Sequence, residues 1–276
     1  MRLQTKVVVL IGLAFVLGNA SFAQQVKTDY DRAANAAGLA IGSASLASAQ
    51  DLSRRPSAAE AAFLKENDAA MTKMMNDMAV KPTGDVDHDF VAMMAPHHQG
   101  AIDMSEAELR YGHNEQLIRI AQDIVVEELQ EIAAMRAALG EKLTPTEARL
   151  AASFAGAAAG PGFSSPVPAD NVPRSLKTER PFLAENAAAM TKMMNEMTIK
   201  PSGNIDRDFV AMMVPHHQGA IDMAQTELRY GREAQLRRIA QEIITDQNQQ
   251  ISLMRLAVGE PLPPSGSSTT DALPSR

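Results

Sequence analysis

Apolar positions recur with helical spacing along most of this chain, and no stretch shows the two-residue alternation of a half-buried β-strand. The clearest apolar stripe lies between residues 114 and 140, on one face of a helix. Its members are Leu117, Ile120, Ala121, Ile124, Ile132 and Met135. The pattern predicts an all-α chain of long helices joined by short turns.

Capping signals mark the ends of three such helices, at about residues 58–79, 87–111 and 114–140. The predicted caps are Ser57 with Glu60 for the first helix, Asp87 or Asp89 for the second, and Asn114 for the third. Proline and glycine in residues 81–84 separate the first helix from the second.

The whole pattern is duplicated. Residues 63–143 match residues 182–262 without a gap, at about two-thirds identity. The helices therefore recur at about residues 181–198, 206–230 and 233–258. A short helix from about 145 to 159 follows the first copy, and the Ala-rich segment before each copy could add a short fourth helix.

The ends of the chain differ from the repeats. Positive charges, a short apolar run and small residues make residues 1–23 a predicted signal peptide, cleaved after Ala23. The predicted segments are an Ala/Ser-rich stretch 24–56, a first helical domain 57–143, a short helix with a Pro/Gly/Ser linker 144–176, a second helical domain 177–262 and a disordered tail 263–276. We expect a periplasmic product with no membrane span after cleavage.

Composition narrows the chemistry. The absence of cysteine excludes disulfides and thiolate metal sites, and the net charge of −7 argues against nucleic acid as a partner. A soft metal in this chain would have to be bound by thioether sulfur.

Methionine and histidine carry the candidate chemistry. Sixteen of the seventeen methionines lie in the repeats, each with a counterpart in the other copy. Two histidines per copy stand in the repeated stretch Met-Met-x-Pro-His-His-Gln-Gly-Ala-Ile-Asp-Met. The candidate metal ligands are Met71, Met74, Met75, Met78, Met93, Met94, His97, His98 and Met104, and Met190, Met193, Met194, Met197, Met212, Met213, His216, His217 and Met223.

A hairpin model places these side chains together within one copy. If the first two helices run antiparallel from a turn near residue 84, Met71 lies level with His97, and Met74 and Met75 lie level with Met94 and Met93. Pro96 should kink the second helix, and Gly100 removes bulk beside the histidines. We therefore expect each repeat to form its own site.

Thioether and imidazole ligands favour copper. Methionine selects Cu(I) or the similar Ag(I), and imidazole also accepts Cu(II), whereas zinc sites more typically use cysteine, histidine and carboxylate. The competing interpretation is that the methionine stripe is ordinary flexible core packing. Paired buried histidines would then cost about 1–3 kcal/mol each if left without partners.

Other polar residues have simpler interpretations. His88 and His113 are replaced by Arg207 and Arg232 in the second copy, which predicts a solvated surface for both. Asp103, like its counterpart Asp222, could accept a hydrogen bond from a metal-binding histidine.

The repeated stretch resembles the signature of the bacterial domain-of-unknown-function family numbered 305, whose cyanobacterial members include periplasmic copper metallochaperones. The resemblance covers both repeats, somewhat over half of the chain. It implies two tandem ferritin-like bundles and a Cu(I) chaperone or buffer that passes copper to an accepting or exporting periplasmic protein.

Three alternatives remain open from the residues. A ferritin-like di-iron protein would use Glu-x-x-His pairs, and no histidine here follows a glutamate by three positions. A b-type haem bundle would use Met and His axial ligands. A structural helical interaction module would bind no metal. No catalytic motif is present, so we predict that the chain is not an enzyme.

Overall fold

The chain folds into helices throughout the part that the computed structural model describes, residues 56–157 and 176–261. The helices of the first repeat are α1 (Ala58–Asp77), α2 (Val86–Tyr111) and α3 (Glu115–Ala138), followed by the short α4 (Pro145–Ala157). Those of the second repeat are α5 (Leu176–Glu196), α6 (Ile205–Tyr230) and α7 (Ala234–Ala257). The predicted all-α fold is confirmed. The signal peptide, all but the last residue of the segment 24–56, most of the linker and the tail fall outside the described residues.

Local signals placed most helix ends to within a few residues. The capping box forms as predicted, since the Ser57 hydroxyl accepts from the Glu60 amide at 3.0 Å and Glu60 accepts from the Ser57 amide at 3.3 Å. Asn114 caps α3 through the amides of Gln116 and Leu117. The helix α5 begins earlier than predicted, at Leu176, so that its proline lies inside the helix.

The prediction for the start of α2 was wrong. Its N-cap is Asp85, whose side chain makes no capping hydrogen bond. Asp89 is buried and accepts from the amide and the hydroxyl of Thr83, at 2.9 and 2.8 Å, so it fixes the turn before the helix. Asp87 bonds to the other repeat instead of to its own helix.

The two repeats pack against each other through their second and third helices. Each second helix is flanked by its own first and third helices, α2 meets α6, and α3 meets α7. The short α4 packs on α3. One continuous core joins both repeats and contains Phe63, Phe90, Phe182 and Phe209, all fully buried. None of the helices in the described ranges is long and apolar enough to cross a bilayer.

Hydrogen bonds between the repeats occur in reciprocal pairs. Glu60 accepts from the Gly203 amide at 2.9 Å, and Glu179 accepts from the Gly84 amide at 3.0 Å. Both glycines have φ near +85°, at 85° and 84°, so the turns that present these amides favour glycine. The turn of α5 ahead of its proline supplies Glu179, which gives that added turn a tertiary contact.

A second reciprocal pair lies close to the first, where the start of each second helix meets the end of the other repeat's second helix. The Asp206 carboxylate accepts the amides of His113 and Asn114, both at 2.8 Å. Asp87 accepts the amides of Arg232 and Glu233, at 2.9 and 2.8 Å. Each repeat thus supports the start of the other's third helix.

Buried glutamates lie beside these aspartates. Glu108 and Glu227 are fully buried, and none of their side-chain oxygens has a partner in good hydrogen-bonding geometry. Burial and the neighbouring Asp206 raise the pKa of Glu108 to about 8. Burial and Asp87 raise the pKa of Glu227 to about 9. At neutral pH both are therefore neutral acids between the repeats.

We expect the free energy of unfolding to fall as the pH rises from about 5 to 9. In that range the unfolded chain has lost the protons of Glu108 and Glu227, near its ordinary pKa of about 4.3, while the folded chain still holds them. One pKa unit corresponds to about 1.4 kcal/mol and the pKa of each group is raised by several units, so the loss should be at least a few kcal/mol. Urea denaturation at pH 5, 7 and 9 measures it.

The double variant Glu108→Gln/Glu227→Gln should reduce this pH dependence, because an amide of the same shape does not titrate. The part due to buried Glu128, whose pKa is also raised to about 8, should remain. Glu115→Gln, at an exposed position on α3, serves as the control and should keep the parent profile. A parent profile that is level from pH 5 to 9 would contradict the assignment.

Candidate metal centre

Four buried histidines meet where α2 crosses α6. His97, His98, His216 and His217 are all 0% exposed. The rings of His97 and His216 lie against each other with centroids 3.9 Å apart and planes tilted by 39°. The neighbouring rings stand 6.4 Å apart in α2 and 6.3 Å apart in α6. The repeated His-His pair therefore forms one cluster per chain.

Two thioethers approach the inner histidines from the opposite repeat. His97 Nε2 lies 3.2 Å from Met193 Sδ, and His216 Nε2 lies 3.3 Å from Met74 Sδ. The hairpin model, which matched His97 with Met71 of its own repeat, is corrected on this point. The histidine of each second helix meets the methionine of the other repeat's first helix.

Glycine makes this approach possible. A Cβ added to Gly100 would lie 2.7 Å from Met74 Sδ, and one added to Gly219 would lie 2.7 Å from Met193 Sδ. The side chain of each methionine thus passes over the glycine in the second helix of its own repeat and extends into the other repeat. The predicted gap beside the histidines is filled by sulfur.

The other predicted methionines belong to the core or its edge. Met71, Met78, Met93, Met94, Met104, Met190, Met197, Met212, Met213 and Met223 are buried, while Met75 and Met194 are partly exposed. The imidazole–sulfur contacts identified above involve none of them. The structure therefore brings six of the predicted ligands together, His97, His98, His216, His217, Met74 and Met193.

A buried polar cluster supports the outer histidines. His98 Nε2 lies 2.8 Å from Glu131 Oε2, and His217 Nε2 lies 2.6 Å from Gln250 Oε1. Gln250 in turn donates to Glu127 at 2.6 Å. These residues were absent from the predicted site.

A second bond between the repeats completes that cluster, since Gln247 donates to Glu128 at 2.9 Å. The sequence held a signal for these positions. Glu128 and Glu131 continue the apolar stripe of α3 between Ile124 and Met135 at helical spacing, where a charged residue is out of place.

The aspartates proposed to orient the histidines do not touch them. Asp103 accepts from Gln99 at 2.7 Å, and Asp222 accepts from Gln218 at 3.0 Å and from Lys192 at 3.1 Å. Their position five or six residues after the histidines puts them on another face of the helix. His88 and His113 are exposed, as predicted.

Electrostatics keep the inner pair neutral. Burial, followed by the charges of the neighbouring histidines, holds the pKa values of His97 and His216 well below the ordinary value. Burial also lowers the pKa of His217 to about 3. Burial lowers the pKa of His98 too, but Glu128 and Glu131 have the larger effect, so the pKa of His98 is raised overall. Burial raises the pKa of Glu128 itself to about 8.

The histidine cluster contains ring nitrogens that no protein group satisfies. The Nδ1 atoms of all four histidines are buried without a hydrogen-bond partner. Bonds of about 2.0 Å to nitrogen and about 2.3 Å to sulfur put two ligands of one ion roughly 3–3.5 Å apart. The nitrogen–sulfur distances of 3.2 and 3.3 Å fit that spacing. No group of three His, Asp or Glu side chains within the described ranges could hold a metal. A metal here would therefore need the thioethers.

Gly100→Ala should destabilise the fold by about 1–3 kcal/mol, since the added methyl displaces Met74 from a packed core. Gly219→Ala should act in the same way on Met193. Urea denaturation measures both. In a double-mutant cycle, Gly100→Ala combined with Met74→Ala should cost less than the two single changes added together, because the methyl then occupies space that the thioether vacated. Simple additivity would contradict the close contact.

Comparison with known proteins agrees with the duplication. A family model described as Domain of unknown function (DUF305) matches two regions, residues 21–139 and 166–258. One region covers each repeat, and together they make up more than half of the chain. No curated protein and no solved structure matches the chain.

Proposed function

The chain belongs to the DUF305 family through both of its repeats, and we propose that it is a periplasmic copper-binding protein, a chaperone or buffer for Cu(I). The ion would be held between the repeats by the thioethers of Met74 and Met193 and by the histidine cluster, with His97 and His216 in contact with the sulfurs and His98 and His217 beside them. The observation that carries this proposal is the pair of imidazole–thioether contacts across the repeat interface.

The donor set favours a soft monovalent ion. Thioether sulfur selects Cu(I), and Ag(I) should bind by the same chemistry, whereas magnesium, calcium and manganese prefer oxygen ligands. The pKa values of His97 and His216 are lowered by burial, so both imidazoles keep a free lone pair at neutral pH. A neutral site of this kind suits a singly charged ion better than a doubly charged one.

Core packing alone accounts poorly for the histidines. Burying an imidazole nitrogen without a partner costs about 1–3 kcal/mol. An apolar side chain at His97 or His216 would fill the same interface without that cost. A metal ion bound at the Nε2 atoms that face Met193 and Met74 would give the buried ring pair a purpose.

The site would also protect its cargo. All four histidines are fully buried, and the two methionines are 1% exposed. Such an enclosure keeps water away from Cu(I) and ties uptake or release to motion between the repeats. This suits a protein that stores the ion or passes it to an accepting periplasmic protein.

The alternatives have less support. A di-iron centre needs clustered carboxylate and histidine ligands, and the residues described in the two ranges contain no such group of three. The third alternative, a structural module without metal, is tested by the Cu(I) competition experiment described next.

The double variant Met74→Leu/Met193→Leu should lower Cu(I) affinity by at least tenfold. Leucine keeps roughly the same volume, so the helical content should not change. The matched control is Met75→Leu/Met194→Leu, at the adjacent and partly exposed positions of the same helices, and it should bind like the parent. Competition with a Cu(I) chelator measures affinity, and circular dichroism checks the fold.

Titration should also give one high-affinity Cu(I) ion per chain. Ag(I) should compete with Cu(I) for this site, and Zn(II) should not. If the folded Met74/Met193 variant binds Cu(I) as the parent does, the thioethers are core residues and the proposal fails. Equal loss in the control variant would place the site elsewhere in the methionine-rich core.

A further inference from the structure

The two outer histidines are bonded to different groups, although the repeats that carry them are close copies. His98 faces the carboxylate of Glu131, whereas His217 faces the amide of Gln250. Glu131 and Gln250 occupy equivalent positions in α3 and α7. The two repeats therefore share the histidine but differ in the group that supports it.

The carboxylate in the first repeat determines which nitrogen of His98 carries hydrogen. An ionised carboxylate only accepts hydrogen bonds. At 2.8 Å from Glu131 Oε2, Nε2 of His98 must donate. In the neutral ring, Nδ1 is then the nitrogen with the free lone pair, and it is buried without a partner.

In the second repeat the same result requires one more residue. An amide can present either its oxygen or its NH₂ group, so Gln250 alone would not decide the tautomer of His217. Glu127 decides it, because its carboxylate accepts from Gln250 Nε2 at 2.6 Å. The amide oxygen then faces His217 at 2.6 Å, and Nε2 of that ring must donate.

We propose that Glu131 directly, and Glu127 through Gln250, are positioning residues that fix His98 and His217 as Nε2–H tautomers and leave Nδ1 of each free to bind metal. The tautomers follow from hydrogen bonding alone. Their role in metal binding rests on the proposed function. The arrangement matches the common one in which a metal-binding histidine donates its other ring N–H to an outer acceptor.

The two sides are unequal as donors. A hydrogen bond to a carboxylate is stronger than one to a neutral amide and makes the imidazole a better ligand. The His98 side should hold metal more tightly than the His217 side. The solvent-exposed Glu127 acts on the buried His217 ring only through the Gln250 amide, so its charge strengthens that ring's hydrogen bond less than a direct carboxylate would.

The tautomers can be tested on the metal-free full chain by long-range ¹H–¹⁵N spectra of the histidine rings. Signals are assigned by their loss in His98→Gln and His217→Gln. In the parent, both rings should show hydrogen on Nε2. Glu127→Ala frees the Gln250 amide to turn over, so His217 should become a mixture of tautomers while His98 is unchanged.

The control is Glu115→Ala, at an exposed position on the same helix as Glu127 and Glu131. It should leave both rings as in the parent. A parent His217 ring with hydrogen on Nδ1 would overturn the inference. So would a Glu127→Ala spectrum identical to that of the parent.

The consequence for metal is tested separately by Cu(I) chelator competition. Glu131→Leu and Gln250→Leu should each weaken binding by about 10–100-fold, with the larger loss at Glu131, and Glu115→Ala should not. If the parent binds no Cu(I), the proposed function fails while the tautomer result stands. If the tautomers are as expected and both leucine variants bind like the parent, the positioning role is wrong.

Discussion

The packing of α2 against α6 is the contact on which the rest of the structure depends. It brings the ring centroids of His97 and His216 to 3.9 Å from each other. It also lets a methionine from each repeat contact an imidazole of the other repeat. It requires glycine at the two points where the thioethers cross, since a Cβ there would meet the sulfur at 2.7 Å. The candidate site is thus a property of the paired repeats.

This pairing costs free energy that other contacts must offset. Four imidazoles and several carboxyl groups lie in the interior, and burying polar groups is unfavourable unless they are hydrogen-bonded. Reciprocal bonds from Glu60, Glu179, Asp87 and Asp206 tie the repeats together at both ends of the second helices. Burial shifts Glu108, Glu128 and Glu227 toward their neutral forms, and does the same for His97, His216 and His217, which reduces the cost.

The repeats differ at positions where strict symmetry would be unfavourable. Two copies of Glu128 and Glu131 facing each other would place four carboxyl groups in one buried region. The second repeat carries Gln247 and Gln250 instead, and their amides donate to Glu128 and Glu127 at 2.9 and 2.6 Å. Acceptors in one repeat meet donors in the other, so the chain is better suited to pairing unlike repeats than like ones.

The sequence by itself determined the helices, the duplication and the identity of the candidate donors. Capping at Ser57 and Asn114 and the helical spacing of apolar residues are local, and the methionine and histidine pattern follows from the two copies. Only the tertiary structure decided that Met74 serves His216 and not its own repeat. It also decided that Glu131 and Gln250 support the outer histidines. A single copy's pattern fixes which face of a helix is apolar, but not which helix covers that face. Contacts between residues far apart in the chain, such as His97 with Met193, depend on that choice.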